Sequence, residues 1–277
     1  MRVTWNDLLF PGDAPDFFGC DPLPPFDPTA SGYSPANAWW LAELSRIVYR
    51  RDRPEIASPL EPCRSEFTRR AGLQEIGFAR SDETGSAALI LRGSQPAPFA
   101  VLAFRGTEQE IQDFICDADT LPVPAFGGTA RVHKGFKRAL NSIWTPLATA
   151  LDALDCPVFY TGHSLGAALA TLAAARRAPR AVYAYGSPRV GDAQFVGKLK
   201  DVPVFRVIHG NDIVTTVPPE ALGFRHAGEE RRFGERAFAL PKLDVRVMWS
   251  RLTTPVGPLA DHAPIRYVSF CAAALGK

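Results

Sequence analysis

No stretch of this sequence strings together the roughly 18 apolar residues that a membrane-spanning helix requires. Near the start, the apolar triplet Leu8–Phe10 stops at Pro11, so it cannot serve as the core of a signal peptide. The expectation is a cytoplasmic protein made without a cleaved signal. Cysteine is scarce: Cys20, Cys63, Cys116, Cys156 and Cys271 are odd in number, widely separated and never spaced as CxxC. That is neither a zinc pattern nor a disulfide framework. The thiols are expected to be reduced and mostly buried, with a Cys20–Cys63 bridge left open as the alternative. A surplus of either charge is also lacking, with 31 basic against 29 acidic residues and a net charge of +2. Nucleic-acid binding leaves a basic excess, so the expected partner is a small or neutral molecule. No HExxH and no Cys/His cluster occurs, and neither a metal nor a cofactor is expected.

What the chain does have is enough apolar material for a full core: 277 residues, 46% hydrophobic. It has no internal repeat and no low-complexity linker, which predicts one domain over residues 1–277. Residues 11–28 are rich in proline and phenylalanine and are expected to wrap over the surface as an extended N-terminal segment, within residues 1–30. Ala38, Leu41, Leu44, Ser45 and Val48 recur at helical spacing behind Ser34, which predicts a helix from Pro35 to about Arg50. Strand-like runs follow at Leu73–Ala79 and Ala87–Leu91, joined by a polar turn, and at Phe99–Phe104.

From Val101 onward, short runs rich in Val, Phe and Tyr ("VLAF", "VFYT", "AVYAYG", "VFRVIHG") alternate with helical stretches at Phe136–Asp152, Leu165–Arg177 and Asp192–Lys200. Strands of that kind suit a parallel sheet covered on both faces. The earlier hairpin then adds antiparallel strands at one edge. The class is α/β.

The chemistry is concentrated in "VFYTGHSLGAAL", residues 158–169. Gly162 and Gly166 flank Ser164 where a strand meets an alanine-rich helix, the setting of a nucleophile elbow. Small residues there let strand and helix approach closely, while the helix N-terminus offers N–H groups and a positive partial charge to a developing oxyanion. The competing reading is a tight turn with a capping serine.

A serine hydroxyl needs a base, and the base needs an acid. With the chain order Ser, acid, His, His133 falls too early, His163 adjoins the serine, and His209 precedes any plausible acid. Asp212, in a turn-prone loop just past "VFRVIHG", is the preferred acid, with a capping aspartate as its alternative. Asp192 reads as a helix N-cap, and Asp201 precedes its strand and would lie at the wrong edge. His262, 50 residues after Asp212, is preferred as base to His226, which is close enough to Asp212 to hydrogen-bond locally. Asp261 is read as exposed, because adjacent side chains rarely converge on one hydrogen bond.

These segments in this order resemble the class 3 lipase family, the α/β-hydrolases that include the filamentous-fungal triacylglycerol lipases. The resemblance spans about residues 33–270. It rests on "NAWWLAELSRIVY", "VLAFRGTE", "VHKGF", "YTGHSLGAALA", "YGSPRVGD", "VIHGNDIVTTVPP", "FRHAGEE" and "DHAPIRYV". It implies an α/β-hydrolase fold with a mostly parallel central sheet, antiparallel edge strands, helices on both faces and a short lid helix. It implies Ser164 as nucleophile, Asp212 as acid and His262 as base, with Thr107 and Leu165 forming the oxyanion hole through their backbone N–H groups. His133 and His226 become structural, and Arg105 receives no catalytic task.

The resemblance also places a lid at about 108–122. Ile111, Phe114, Ile115 and Ala118 fall there at helical spacing among acidic neighbours, a pattern that equally suits a fixed surface helix. The implied activity is hydrolysis of carboxylic esters of acylglycerol-type lipids through an acyl-enzyme, with transient contact at a lipid interface. A short-chain or feruloyl-type esterase, and a non-catalytic lipid-binding member of the fold, are the alternatives. The first 30 residues and residues 229–258 match nothing in the family pattern.

Overall fold

A computed structural model of the chain describes residues 3–50, 60–106, 121–234, 255 and 257–276. Its elements in chain order begin with α1 (Trp5–Leu9), α2 (Pro35–Ile47), α3 (Arg64–Arg70), β1 (Leu73–Arg80), β2 (Ala87–Gly93) and β3 (Phe99–Arg105). A small ribbon, β4 (Pro122–Pro124) and β5 (Arg131–His133), leads into α4 (Lys134–Asp152). Then come β6 (Val158–His163), α5 (Leu165–Ala174), β7 (Ala181–Tyr185), α6 (Ala193–Gly197), β8 (Val204–His209), β9 (Glu229–Phe233), α7 (Gly257–Ala260) and α8 (Pro264–Leu275).

Seven strands form one sheet in the order β1-β2-β3-β6-β7-β8-β9. β1, β2 and β3 pair antiparallel, and every pairing from β3 to β9 is parallel. The expected parallel sheet with an antiparallel edge is therefore present, and this is the α/β-hydrolase fold. β2, β3, β6 and β7 are buried nearly end to end, as strands covered on both faces must be. One face packs on α4 and α5 through Phe136, Leu140, Leu169 and Leu172. The other packs on α2 and α8 through Trp39, Leu41, Leu44 and Tyr267.

Helix α2 starts where the sequence placed it. Ser34 Oγ accepts the Asn37 N–H at 3.2 Å, and Pro35 occupies the first turn, where its missing N–H is not needed. Its outer side is not solvated as an amphipathic helix would have it. Glu43 and Arg46, each 2% exposed, lie beneath the N-terminal segment. Glu43 accepts the Phe18 N–H at 3.0 Å, and the Arg46 guanidinium sits 4.2 Å over the Phe17 ring and 3.1 Å from Glu43.

Residues 11–28 thus do more than wrap the surface. Phe17, Phe18 and Phe26 are buried, and Phe26 stacks on Phe99 at 4.0 Å. Each buried phenylalanine contributes roughly 1.5–3 kcal/mol, enough to hold a segment that has little regular structure of its own. Still nearer the terminus, Val3 and Leu8 build a separate small core with Leu259, Ala260 and Ala263.

Other differences from the sequence reading are local. The helix expected to run to Arg177 ends at Ala174, and that expected over Asp192–Lys200 covers only Ala193–Gly197, capped by Asp192 as anticipated. Strand β9 was not anticipated. Cys20, Cys63, Cys156 and Cys271 are free thiols, so no Cys20–Cys63 bridge forms. Among the described residues no helix is long and apolar enough to cross a membrane.

Candidate active site

The parallel strands deliver their C-terminal ends to one edge of the sheet, where open α/β sheets place their chemistry. β6 ends at His163 and runs into Ser164, β7 ends at Tyr185 and runs into Gly186, and β8 ends at His209 and leads into the loop to Asp212. Ser164 N–H donates to the Tyr185 carbonyl at 2.9 Å and Gly186 N–H to the Val207 carbonyl at 3.0 Å, so the ladder continues past the strand ends and fixes these residues side by side.

The turn at Ser164 answers what the two glycines are for. A Cβ at Gly162 would overlap the backbone of Gly166, and one at Gly166 would overlap the carbonyl of Phe104. Strand and helix therefore meet at a distance that only glycine allows. Ser164 itself has φ 58° and ψ −126°, a conformation costly to a residue with a side chain. Its hydroxyl makes no capping hydrogen bond to the helix it precedes. The capping-serine reading is thereby removed: the strain is kept, and the hydroxyl is left out of the turn's own bonding. Leu165, first residue of α5, has an N–H with no intrahelical acceptor. The end of β3 passes against it, since a Cβ on Gly106 would stand 3.3 Å from Leu165 Cβ. Gly106 N–H is held at 3.1 Å by the Tyr49 hydroxyl. Thr107 and residues 108–120 of the segment expected to form a lid, about 108–122, lie outside the described residues.

Asp212 is 1% exposed and His262 is fully buried. Asp212 Oδ2 accepts the His262 Nδ1–H at 2.8 Å, while Oδ1 accepts the Val214 N–H at 2.9 Å. Asp212 thus does both things proposed for it, capping the short helical turn Ile213–Thr216 and holding the histidine. Burial would raise its pKa, but the charge of His262 and the hydrogen bonds from His262 and Tyr267 outweigh burial and leave it below the usual carboxylate value. His262 Nδ1 is thus committed to Asp212, while its Nε2 has no hydrogen-bond partner among the described residues.

Two further residues join this group that sequence reasoning passed over. Tyr267, on the buried face of α8, donates its hydroxyl proton to Asp212 Oδ2. A tyrosine on a helix face otherwise made of Pro264, Val268 and Cys271 must find an acceptor, and that was the available signal. His163 does not point away from the site. Its Nε2–H donates to the His262 carbonyl at 2.7 Å and its ring lies 4.4 Å from the His262 ring. Burial, reinforced by His262, drives its pKa well below the ordinary imidazole value, so it acts as a neutral donor.

The remaining candidates fall outside. His133 accepts the Phe136 N–H at 3.4 Å at the start of α4. His226 donates from Nε2 to the Thr215 carbonyl at 2.8 Å, the local bond anticipated for it. Arg105 donates to the Gly85 carbonyl at 2.7 Å. Asp261 is a correction: its side chain is only 23% exposed and it is bonded to the Asp212 loop. Among the described residues no group of His, Cys, Asp and Glu is arranged to hold a metal ion.

Fold and site together give an α/β-hydrolase arrangement: a strained elbow serine at the end of β6 and, at the same sheet edge, a buried histidine oriented by a carboxylate. Comparison with known proteins narrows the class. Residues 101–222 match the family described as Lipase (class 3). A lipase of Rhizomucor miehei is 37% identical over 161 residues, which cover 52% of this chain and 44% of that protein. The chain therefore spans less than half the length of that relative. Among solved structures, a triacylglycerol lipase described as having a serine protease triad for its catalytic centre is 30% identical, with a TM-score of 0.54 over 59% of this chain and 68% of that one. The lipase of Rhizopus microsporus var. chinensis aligns with a TM-score of 0.58 at 25% identity, covering 80% of this chain and 84% of that one. The chain belongs to the class 3 lipase family.

Proposed function

We propose that this protein is a carboxylic ester hydrolase acting on acylglycerol-type lipids, with Ser164 as nucleophile, His262 as general base and Asp212 as the orienting acid. The observation that carries this reading is the 2.8 Å bond between His262 Nδ1 and Asp212 Oδ2, which holds a buried histidine whose Nε2 has no partner among the described residues at the same sheet edge as an elbow serine whose hydroxyl caps nothing. Ser164 Oγ attacks the ester carbonyl carbon while its proton passes to His262 Nε2. The Leu165 N–H, at the positive end of α5, stabilises the oxyanion, a contribution of about 3 kcal/mol for one such donor. Thr107 is the second donor that the family resemblance implies. His262 then protonates the leaving alcohol, and a water activated by the same nitrogen releases the acid from the acyl-enzyme. The names of similar proteins, a lipase and a triacylglycerol lipase, support an acylglycerol substrate.

A series of p-nitrophenyl esters from short to long acyl chains, with Ser164→Ala as control, tests the reading. Serine-dependent hydrolysis that persists or rises with chain length is expected. Activity confined to acetyl and butyryl esters would favour a short-chain esterase, and activity retained in Ser164→Ala would overturn the assignment.

A further inference from the structure

The loop carrying His262 is tied to the loop carrying Asp212 twice. The first tie is the His262–Asp212 hydrogen bond. The second joins nearby residues in the opposite sense, with the imidazole at the end of the strand that leads to the acid and the carboxylate on the base's loop. His209 Nδ1 lies 3.3 Å from Asp261 Oδ1 and 3.3 Å from the Asp261 carbonyl oxygen. Both are acceptors, so Nδ1 carries the proton. Asn211 N–H donates to Asp261 Oδ2 at 2.9 Å. Between them Gly210, at φ 48°, runs so close that a Cβ there would stand 2.5 Å from the same oxygen.

Three consecutive residues, 209 to 211, therefore wrap the carboxylate of residue 261, and the next residue of each segment is Asp212 or His262. Consecutive Cα atoms are about 3.8 Å apart, so fixing 261 against 209–211 leaves 262 little freedom relative to 212. The His209 ring is itself packed at 4.3 Å on Phe270 and cannot follow a wandering Asp261. No capping duty explains Asp261, because the cap residue of α8 is Ala263.

We infer that Asp261, braced by His209, is a positioning residue that sets the register of the His262 loop against Asp212. The inference rests on the reading of Ser164, Asp212 and His262 given above.

The test compares Asp261→Ala, Asp261→Asn and His209→Ala with the unaltered protein. It measures the far-downfield proton resonance of the His262 Nδ1–H together with kcat and KM on a p-nitrophenyl ester. Misplacing a base by about 1 Å costs up to roughly a hundredfold, so Asp261→Ala is expected to broaden or abolish the resonance and to lower kcat by about 10- to 100-fold, leaving KM within about twofold. Asp261→Asn recovers most of both. Its amide oxygen accepts from Asn211, and its NH2 donates to Nδ1 once His209 switches tautomer. If the alanine variant at 261 does not fold, His209→Ala removes the brace from the other side and must show the same kcat loss. Unchanged resonance and kcat in a folded alanine variant would overturn the inference, as would a loss confined to KM. Unaltered protein that shows the resonance but hydrolyses no ester would contradict the esterase reading alone, and the resonance comparison would still decide the positioning role.

Discussion

Tyr267 and His262 donate to the same oxygen of Asp212. A carboxylate buried this completely costs several kcal/mol unless it is paired and hydrogen-bonded, and Tyr267 and Val214 supply the bonds that His262 cannot. Replacing Tyr267 with phenylalanine keeps the ring against Tyr185 and His163 but removes one of these donors. Tyr267→Phe should lose about 1–3 kcal/mol of stability, the cost of an under-satisfied buried acceptor. It should also lower kcat, because Asp212 is freer to turn. Urea unfolding and ester hydrolysis on the same preparation check both.

The elbow glycines allow a prediction free of chemistry. A methyl group at Gly162 overlaps backbone atoms of Gly166, and backbone cannot step aside as a flexible side chain can. Gly162→Ala should therefore reach or exceed the upper end of the roughly 1–3 kcal/mol typical of overpacking. Gly197, where an added Cβ meets nothing, should tolerate alanine. Denaturant midpoints of the two variants should differ accordingly.

His226 sets a pH dependence with a definite sign. Burial, aided by the charge of Arg206, pushes its pKa down to about 4 from the ordinary 6.5. Below the ordinary value the unfolded chain binds a proton that the folded protein refuses, so stability falls as pH drops from about 6.5 toward 4. The full effect is about 3 kcal/mol. His226→Gln, which can still donate to the Thr215 carbonyl, should flatten that part of the stability–pH curve. An unchanged slope would mean that His226 is not the group responsible.

Leu8 and Val3 support the His262 loop from outside the part of the chain that the family pattern covers. Leu8→Ala opens a hole beneath Leu259 and Ala263, with an expected cost of about 2 kcal/mol, at the low end for a buried leucine because the cluster is small. The amides of Asp261, His262 and Ala263 bond to the carbonyls of Gly257, Leu259 and Ala260. Their hydrogen exchange should quicken in Leu8→Ala while that of β6 stays as it was.

The elements that announced themselves in the sequence are those buried on both faces. β3, β6, β7 and β8 read as apolar runs because nothing else can line the centre of a parallel sheet. β9 did not, because an edge strand with the sequence EERRF looks like a solvated charge cluster. Its side chains are paired across the edge, Glu230 with Arg206 at 3.4 Å and Arg231 over the Tyr33 ring at 4.8 Å, and no local pattern encodes those partners. The same limit separates the site residues. Ser164, Asp212 and His262 follow from turn chemistry and chain order. The contributions of His163, Tyr267 and Asp261 depend on contacts with residues 99, 55 and 50 positions away, visible only once the loops are folded together. Phe17 and Phe18 belong to the same group, since proline-rich spacing describes their backbone but not the Glu43 and Arg46 waiting beneath them.

The central claim is that Ser164 is an activated nucleophile, and covalent capture tests it most directly. Folded protein treated with a fluorophosphonate and analysed by peptide mass spectrometry should carry one adduct, on the peptide containing Ser164, and the Ser164→Ala and His262→Ala variants should carry none. An unlabelled folded protein, or an adduct that survives in Ser164→Ala, would contradict the account.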